Sequence, residues 1–169
     1  MDYRDKRITK LREYLFNIVD ELSSDTKYQI NANMLSNDIN NYSLDKMPTS
    51  STVEKWVMGL ELHKDTYSFR GRFPYSQEAV NNLRNIGFFE DFEYMISYNN
   101  KHGIRPEIEG IQSIECLNSG TLNSVTSNTA EFDIQIQIKY IVNSKKEEVS
   151  LWIMLQYPQT LQKWIEMSS

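Results

Sequence analysis

The stretch from Ala130 to Val142 carries the most restrictive pattern in this chain. Every second residue in it is apolar: Phe132, Ile134, Ile136, Ile138, Tyr140 and Val142. The residues between them, among them Asp133, Gln135 and Lys139, are polar. Successive side chains point to opposite sides of an extended backbone, so the pattern predicts a strand with one face in the core and one polar face.

Two other segments have the apolar spacing of three and four residues that is typical of amphipathic helices. The first runs from about Asp5 to Leu22. The second begins near Ser76, a suitable N-cap residue, and ends at His102-Gly103. Gly87 lies in its middle, so this segment is either one long helix or two short helices that meet at the glycine.

Alternating residues also predict a hairpin before the second helix. Its strands run from Val53 to Leu62 and from Thr66 to Phe73, joined by the polar turn His63-Lys64-Asp65. The second strand has an aromatic face. Arg70 and Arg72 occupy its opposite face, so we expect both to point toward solvent or a partner.

Three segments around these elements are less regular. A short strand is expected from Ile111 to Leu117. The polar stretch before Val53 is mostly loop, with room for one short strand near Ile39 to Leu44. Asn118 to Thr129 has loop composition, which fits either a functional, partner-ordered loop or a flexible hairpin tip.

The last apolar segment is Val149 to Leu155. Alternation predicts a strand, but Trp152 and its neighbours make both faces apolar. A helical turn that contains Trp164 is expected around Leu161 to Ile165. The strand must be covered on both faces, so it lies inside the sheet or forms a docking surface with Trp152 and Trp164.

Length and composition place these elements in one domain. The chain has 169 residues, 40% of them hydrophobic, and neither a repeat nor a distinct linker. We therefore expect a single α+β domain over residues 1–169, with an antiparallel or mixed sheet of about four to six strands. The N-terminal helix and the central helix flank this sheet.

The same counts exclude several classes of protein. A single cysteine, Cys116, cannot form an intrachain disulfide, and its apolar setting favours a small core residue over a nucleophile. The net charge of −5 disfavours a broad nucleic-acid-binding face. The apolar runs are far shorter than the roughly 20 residues that span a bilayer, so we expect a soluble protein without a signal peptide.

The sequence lacks the motifs of common catalytic and cofactor sites. It contains no Walker A loop, dinucleotide-binding glycine pattern, nucleophile elbow or zincin motif. Its two histidines, His63 and His102, are expected at a turn and a helix end, where surface roles are usual. We therefore predict that the protein is not an enzyme and has no catalytic residue, metal or cofactor.

The residues of most interest are candidates for a subunit or partner interface. Tryptophan is enriched at interface hot spots, although a core position is its default. Arginines on a strand bind phosphate, a neighbouring carboxylate or water. Together with the loop from Asn118 to Thr129, these criteria select Trp56, Tyr67, Phe69, Arg70, Arg72, Leu122, Trp152 and Trp164.

A family resemblance covers about residues 42 to 142. The stretches that carry it include Tyr42-Ser-Leu-Asp-Lys-Met-Pro48, Asp65-Thr-Tyr-Ser-Phe-Arg70, Gly87-Phe-Phe-Glu-Asp-Phe-Glu93 and Pro106-Glu-Ile-Glu-Gly-Ile-Gln-Ser-Ile-Glu-Cys-Leu-Asn118. Through them the chain resembles minor capsid and tail terminator proteins of tailed phages and prophages of Gram-positive (Firmicutes) bacteria. Its predicted element order is similar to the lambda-type tail terminator fold. Residues 143–169 form a C-terminal extension outside this resemblance.

The resemblance implies a structural role in the virion. The subunit would form a homo-hexameric ring that caps the head-proximal end of the tail tube and joins it to the neck. Its partners would be further copies of itself, the tail tube protein, a neck or head-completion protein and, in a contractile phage, the tail sheath protein. Assembly would take place in the cytoplasm of the host bacterium, without contact to a membrane.

DNA would pass through such a ring without specific binding. Six subunits of net charge −5 would together carry about −30, which repels DNA in a channel. Two alternatives remain open from the sequence. One is a head-completion or neck adaptor protein, and the more remote one is a small enzyme.

Overall fold

Two helices and seven strands make up the described part of the computed structural model, which comprises residues 3–23, 28–48, 52–56, 59–76 and 79–143. In chain order they are α1 (Tyr3–Leu22), β1 (Ile30–Ala32), β2 (Asn41–Lys46), β3 (Thr52–Lys55), β4 (Leu60–Pro74), α2 (Ala79–Lys101), β5 (Ile111–Cys116), β6 (Thr121–Val125) and β7 (Thr129–Asn143). The prediction of an α+β fold is confirmed. The sheet has seven strands, one more than the upper end of the expected range.

The long strands β4 and β7 form the centre of the sheet. They pair antiparallel over their whole length, from Leu60 opposite Asn143 to Pro74 opposite Thr129. On the far side of β4, β2 and β3 follow one another along its length, and β1 adds to β2 in parallel. On the far side of β7, β5 and β6 follow one another in the same way. Among the described strands, the sheet is therefore mixed, with a single parallel pair at one margin.

One face of this sheet is apolar, and both helices contribute to the core on that side. The predicted alternation in β7 is confirmed, because Ile134, Ile136 and Ile138 are fully buried. Apolar residues of α1 and α2, such as Leu15 and Phe92, belong to the same core cluster. Full burial of one such side chain contributes roughly 1.5–3 kcal/mol, so this layer is the main source of stability.

Aromatic rings connect the helix layer to the sheet. Tyr42 of β2 stacks on Phe69 of β4 with ring centroids 5.4 Å apart, and Phe69 stacks on Phe92 of α2 at 4.9 Å. Phe88 of α2 also lies 5.7 Å from the Tyr42 ring. These contacts fix the face of β2 and β4 that meets α2. By alternation, Arg70 and Arg72 lie on the opposite, polar face, here called the open face, although Ser43, Thr66 and Gln137 at its centre are buried.

The predicted turn at His63-Lys64-Asp65 is wrong. These residues lie within β4, where each of them pairs with a residue of β7. The hairpin turn lies earlier in the chain, between β3 and β4. The chain reverses there between Trp56 and Leu60, and the Trp56 amide donates a hydrogen bond to the Leu60 carbonyl at 2.8 Å.

The predicted loop from Asn118 to Thr129 is also largely wrong. Thr121–Val125 forms β6, which pairs antiparallel with the start of β7. A tight turn joins the two strands, in which the Thr126 amide donates to the Thr129 carbonyl at 2.8 Å. Neither a long functional loop nor a flexible tip therefore describes this segment. The short strand expected near Ile39 to Leu44 is confirmed as β2, shifted by two residues.

The central helix α2 is continuous across Gly87, as in the first of the two predicted alternatives. It ends at the predicted place. Gly103 has a positive φ of 75°, and the amides of Gly103 and Ile104 donate to the carbonyls of Asn100 and Asn99. This is a Schellman C-cap, in which glycine avoids the steric cost of the left-handed conformation.

The C-terminal expectations cannot be compared with this fold. The predicted strand from Val149 to Leu155, the turn around Leu161 to Ile165, and both Trp152 and Trp164 lie outside the described residues.

Two glycine substitutions test the fold. Gly110 has a φ of 76°, and a Cβ there would collide with the carbonyl oxygen of Ile141, whose amide donates a hydrogen bond to the Gly110 carbonyl. We expect Gly110→Ala to lower the free energy of unfolding by at least about 2 kcal/mol. A Cβ at Gly87 would meet no atom within 4 Å, so Gly87→Ala is the matched control.

Urea denaturation followed by circular dichroism measures both variants. The control should gain up to about 1 kcal/mol, because alanine is the better helix former. Equal stability of the two variants would contradict the described geometry around Gly110.

Candidate functional site

The open face of the sheet carries the two arginines singled out from the sequence. The Arg70 Nε donates a hydrogen bond to Asp45 Oδ2 at 2.7 Å, and the two side chains form an ion pair. Arg72 forms an ion pair with Glu131, directly opposite on β7, and donates from Nη1 to Asn37 Oδ1 at 2.9 Å. The predicted placement of both arginines opposite the aromatic face is confirmed, whereas their pairing within the chain is a finding of the structure. Each is neutralised by a carboxylate of its own chain.

Several further polar residues of the open face have partners within the chain. Ser68 donates to Asp133, and Gln137 donates to Thr66 at 3.3 Å. Lys139 forms an ion pair with Glu115 of β5 at 2.6 Å. Cross-strand pairs of this kind stabilise a sheet by satisfying polar groups locally. The open face therefore has matched charges, which gives it little attraction for an isolated phosphate or carboxylate.

A buried carboxylate lies on the other face of β4. The Asp65 side chain is 1% exposed, and its Oδ2 accepts a hydrogen bond from the Tyr140 hydroxyl at 3.0 Å. Its Oδ1 lies 2.9 Å from the Lys46 ammonium in an ion pair, without the geometry of a hydrogen bond. Lys46 is 47% exposed, so its stem reaches from the surface to the buried acid.

Two further side chains pack against Tyr140, the hydrogen-bond partner of Asp65. The Arg7 guanidinium lies over the Tyr140 ring at 4.6 Å, and the His63 ring stacks on the same tyrosine. Burial raises the pKa of the Tyr67 phenol, and the nearby Asp65 carboxylate raises that pKa further. An aspartate, a lysine and tyrosines can perform acid–base chemistry. Here both carboxylate oxygens already face a partner of the same chain, so the arrangement is suited to holding β4, β7 and β2 together.

Edge strands provide a different type of surface. All five residues of β6 are exposed, and Leu122 keeps 54% of its accessible area. β6 pairs with β7 on one side, and no described residue pairs with its other side. The strand contains no charged residue and no proline. Its backbone therefore remains available for hydrogen bonds with another strand.

The β3 edge lies on the opposite margin of the sheet. Val53 and Trp56 are exposed there, and the Trp56 indole donates to Glu54 at 3.2 Å. Lys55 forms an ion pair with Glu61 of β4. The prediction that Trp56 is accessible to a partner is compatible with its 42% exposure.

The other predicted interface residues have different positions. Tyr67 and Phe69 are core residues, so the expectation that they contact a neighbouring subunit is wrong. The Asn118 side-chain oxygen accepts a hydrogen bond from the backbone N–H of Gln135 at 2.7 Å. This bond holds the β5–β6 connection to β7. Thr129 belongs to β7 and closes the turn with Thr126. Leu122 is therefore the residue of the predicted segment whose exposure fits an interface best.

Cys116 is a half-buried residue of β5, and each histidine stacks on a tyrosine. Burial raises the pKa of the Cys116 thiol to about 12, so it stays protonated at neutral pH. His102 stacks on Tyr98 at the end of α2. Within the described residues, no group of three or more His, Cys, Asp or Glu side chains could hold a metal ion. None of the helices described is long and apolar enough to cross a membrane.

A cavity that the sequence did not predict opens between α2 and the ends of α1, β2 and β4. Its volume is about 460 Å³, and Tyr42, Phe73 and Phe88 supply its apolar lining. Arg84 and Asp91 contribute one charge of each sign. No periodicity marks such a space, because its lining residues come from elements that are distant in sequence.

Comparisons with known proteins assign no function to these surfaces. No protein-family model matches the sequence, and no curated protein is significantly similar to it.

The buried ion pair yields a stability prediction. Lys46→Met should lower the free energy of unfolding by roughly 1–3 kcal/mol, because the Asp65 carboxylate would stay buried without its cation. Lys10→Met is the matched control, since the Lys10 ion pairs with Glu13 and Glu107 are solvent-exposed and should matter little.

Denaturation of Asp65→Asn and of Lys46→Met/Asp65→Asn completes a double-mutant cycle. The double variant should recover part of the loss, because the amide carries no charge to bury. A Lys46→Met variant as stable as the parent would show that the ion pair contributes nothing.

Proposed function

We propose that this protein is a non-enzymatic structural protein of a phage tail, a tail terminator whose ring caps the head-proximal end of the tail tube. The observation that carries the proposal is the β6 edge, with Leu122 and Val125 exposed on a strand that contains no charge or proline. Monomeric proteins usually protect such edges with charges, prolines, bulges or a covering element. β6 has a register irregularity between Leu122 and Ser124 but neither a charge nor a proline, and such a lightly protected edge is expected in a subunit that pairs with another copy.

A ring also requires a second, different surface on the same subunit. Head-to-tail contacts join unlike surfaces, and they close when the rotation between neighbours is a simple fraction of a turn. The margin that carries β1 and β3 is on the opposite side of the sheet from β6. β6 pairs with residues 130–133 of β7, whereas β3 lies beside the other end of the β4/β7 ladder. The two margins are therefore far apart, as neighbours in a ring require.

Charge supports the same proposal. The described ion pairs leave the open face with matched charges, and the chain as a whole has a net charge of −5. A hexamer would carry about −30, which disfavours binding of passing DNA to the lumen. The proposed partners are further copies of the subunit, the tail tube and a neck protein, with the sheath added in a contractile phage. The proposed location is the tail and neck region of the virion.

Negative-stain electron microscopy of the purified protein tests the assembly. We expect rings, six-fold in the proposed case, with a diameter that matches a tail tube. A protein that stays monomeric at all concentrations and turns over a substrate would overturn the proposal.

A single substitution at β6 tests the surface itself. Leu122→Lys should reduce the ring fraction in sedimentation velocity by about tenfold or more, because a lysine on an edge strand opposes strand pairing. Leu83→Lys, at an exposed leucine of α2, is the matched control and should leave the ring intact. An unchanged ring in Leu122→Lys would exclude β6 from the contact.

Deletion of the gene in a phage separates the terminator from a neck adaptor. Without a terminator, tube polymerisation continues, so overlong tails are expected. Tailless particles or heads that lose DNA would contradict the terminator and favour the adaptor.

A further inference from the structure

The exposed apolar residues of β6 lie on the face of the sheet that carries the helices. Leu122 pairs with Phe132 of β7 and Val125 pairs with Ala130, and both partners are core residues. Side chains directly opposite one another on neighbouring strands share a face. The register irregularity between Leu122 and Ser124 brings both apolar side chains of β6 to this face. β6 therefore presents two neighbouring apolar groups, 54% and 45% exposed, on the helix side of the sheet.

The cavity between α2 and the ends of α1, β2 and β4 lies on the same face and at the same level along the strands. Leu122 of β6 is opposite Phe132 of β7. In the same row, Gly71 of β4 is opposite Phe132, and Tyr42 of β2 is opposite Gly71. Tyr42 lines the cavity, so the cavity and β6 are three strand spacings apart, roughly 14 Å.

A common row and a common face are what neighbours in a ring require. Rotation about the ring axis changes neither the height nor the radius of a surface, so two surfaces that meet around a ring must agree in both. Surfaces in one row have equal height when the axis runs along the strands. Surfaces on one face have similar radii when the sheet follows the circumference.

Helix α2 separates the two surfaces within one subunit. Phe89 stacks on Phe132 with ring centroids 5.5 Å apart, and Glu93 accepts a hydrogen bond from Ser119, next to β6, at 3.1 Å. Phe88, the preceding residue of α2, instead lines the cavity. The helix therefore has β6 on one flank and the cavity on the other. A β6 strand that enters this cavity belongs to a second copy of the chain.

Contacts among its lining residues fix the shape of the cavity. Asn85 of α2 is 6% exposed and donates a hydrogen bond to the Pro74 carbonyl at 2.9 Å. The Tyr42 ring lies 5.8 Å from the Phe73 ring and 5.7 Å from the Phe88 ring. These contacts join α2 to the ends of β2 and β4, so the cavity is present in the free subunit.

The volume and charge of the cavity fit neutral apolar side chains. An apolar cavity of about 150 Å³ holds a benzene-sized group. The volume here is about 460 Å³, which gives room for both Leu122 and Val125. Arg84 and Asp91 contribute opposite charges to the lining, and β6 has no charged residue. A charged occupant would meet one like charge, whereas β6 meets none.

We propose that Leu122 and Val125 of one subunit insert into the cavity of the next subunit, between its α1 and α2. The contact rests on the proposed ring, because it identifies the two unlike surfaces that head-to-tail closure requires. The partner is a second copy of this chain. Recognition depends on apolar side chains and a preformed cavity rather than on charge.

Disulfide trapping between two differently tagged chains tests the contact. Both chains carry Cys116→Ala, one also carries Leu122→Cys, and the other carries Ser23→Cys, at a cavity-lining residue after α1. Arg84→Cys, on the α2 side of the cavity, replaces Ser23→Cys in a second pair. We expect a mixed disulfide with at least one lining position, in at least about tenfold excess over disulfides between like chains.

Lys101→Cys is the matched control for the lining positions. Lys101 is exposed and lies about 15 Å beyond Asp91 along α2. Its mixed disulfide with position 122 should be at least about tenfold less abundant. Equal trapping at Lys101, preferential disulfides between two Leu122→Cys chains, or no mixed disulfide at either lining position would overturn the contact.

A side chain that fills the cavity supplies a second readout in the chain with its native thiol. Gly87 lines the cavity, and a Cβ there meets no atom of the described residues within 4 Å. Gly87→Phe should reduce the ring fraction in sedimentation velocity by about tenfold or more, because the ring of the new side chain takes the space of Leu122. Gly87→Ala is the matched control, since a methyl group leaves most of the cavity open. A folded Gly87→Phe variant that forms rings like the parent would contradict the contact.

Negative-stain electron microscopy of the trapped chains separates this contact from the proposed function. Mixed disulfides in open chains or filaments would support the contact and overturn the ring. Rings that form without the mixed disulfide would support the ring and overturn the contact.

Discussion

The antiparallel pairing of β4 with β7 is the interaction on which the other parts of this structure depend. Every residue of the two fifteen-residue strands has a partner in this ladder. A shift of one residue would move each side chain to the opposite face, so the continuous register fixes what is buried and what is exposed. The same register sends Phe69 and Ile134 toward the helices and brings Arg72 opposite Glu131.

The matched charges of the open face follow from that register. Arg70 and Arg72 find carboxylates on β2 and β7, and Lys139 finds Glu115 on β5. Charges that are paired within a subunit add little attraction for a partner. Recognition is therefore expected at the margins of the sheet, where backbone groups and apolar side chains are exposed.

The two margins of the sheet differ in the side chains that they expose. β6 lacks the charges and prolines that protect an edge, which suits an edge that is covered by another subunit. The β3 margin has exposed apolar residues beside the point where β7 ends. An edge strand left bare in a free subunit promotes aggregation, whereas a closed ring leaves none of its pairing edges exposed. The proposed assembly thereby accounts for a feature that would be a liability in a monomer.

Local sequence patterns determined the α+β class, both helices and the alternation of β7, because each depends on side chains a few residues apart. Tertiary structure decided the rest. His63-Lys64-Asp65 has the composition of a turn, yet it is strand because β7 pairs with it and because Lys46 and Tyr140 compensate the Asp65 carboxylate. Thr121–Val125 has the polar composition of a loop, yet it forms a strand because it pairs with the first residues of β7. Whether Phe69 is a core or an interface residue, and whether an arginine is paired, depends on residues that are distant in sequence. The local pattern of apolar residues contains no information on such contacts.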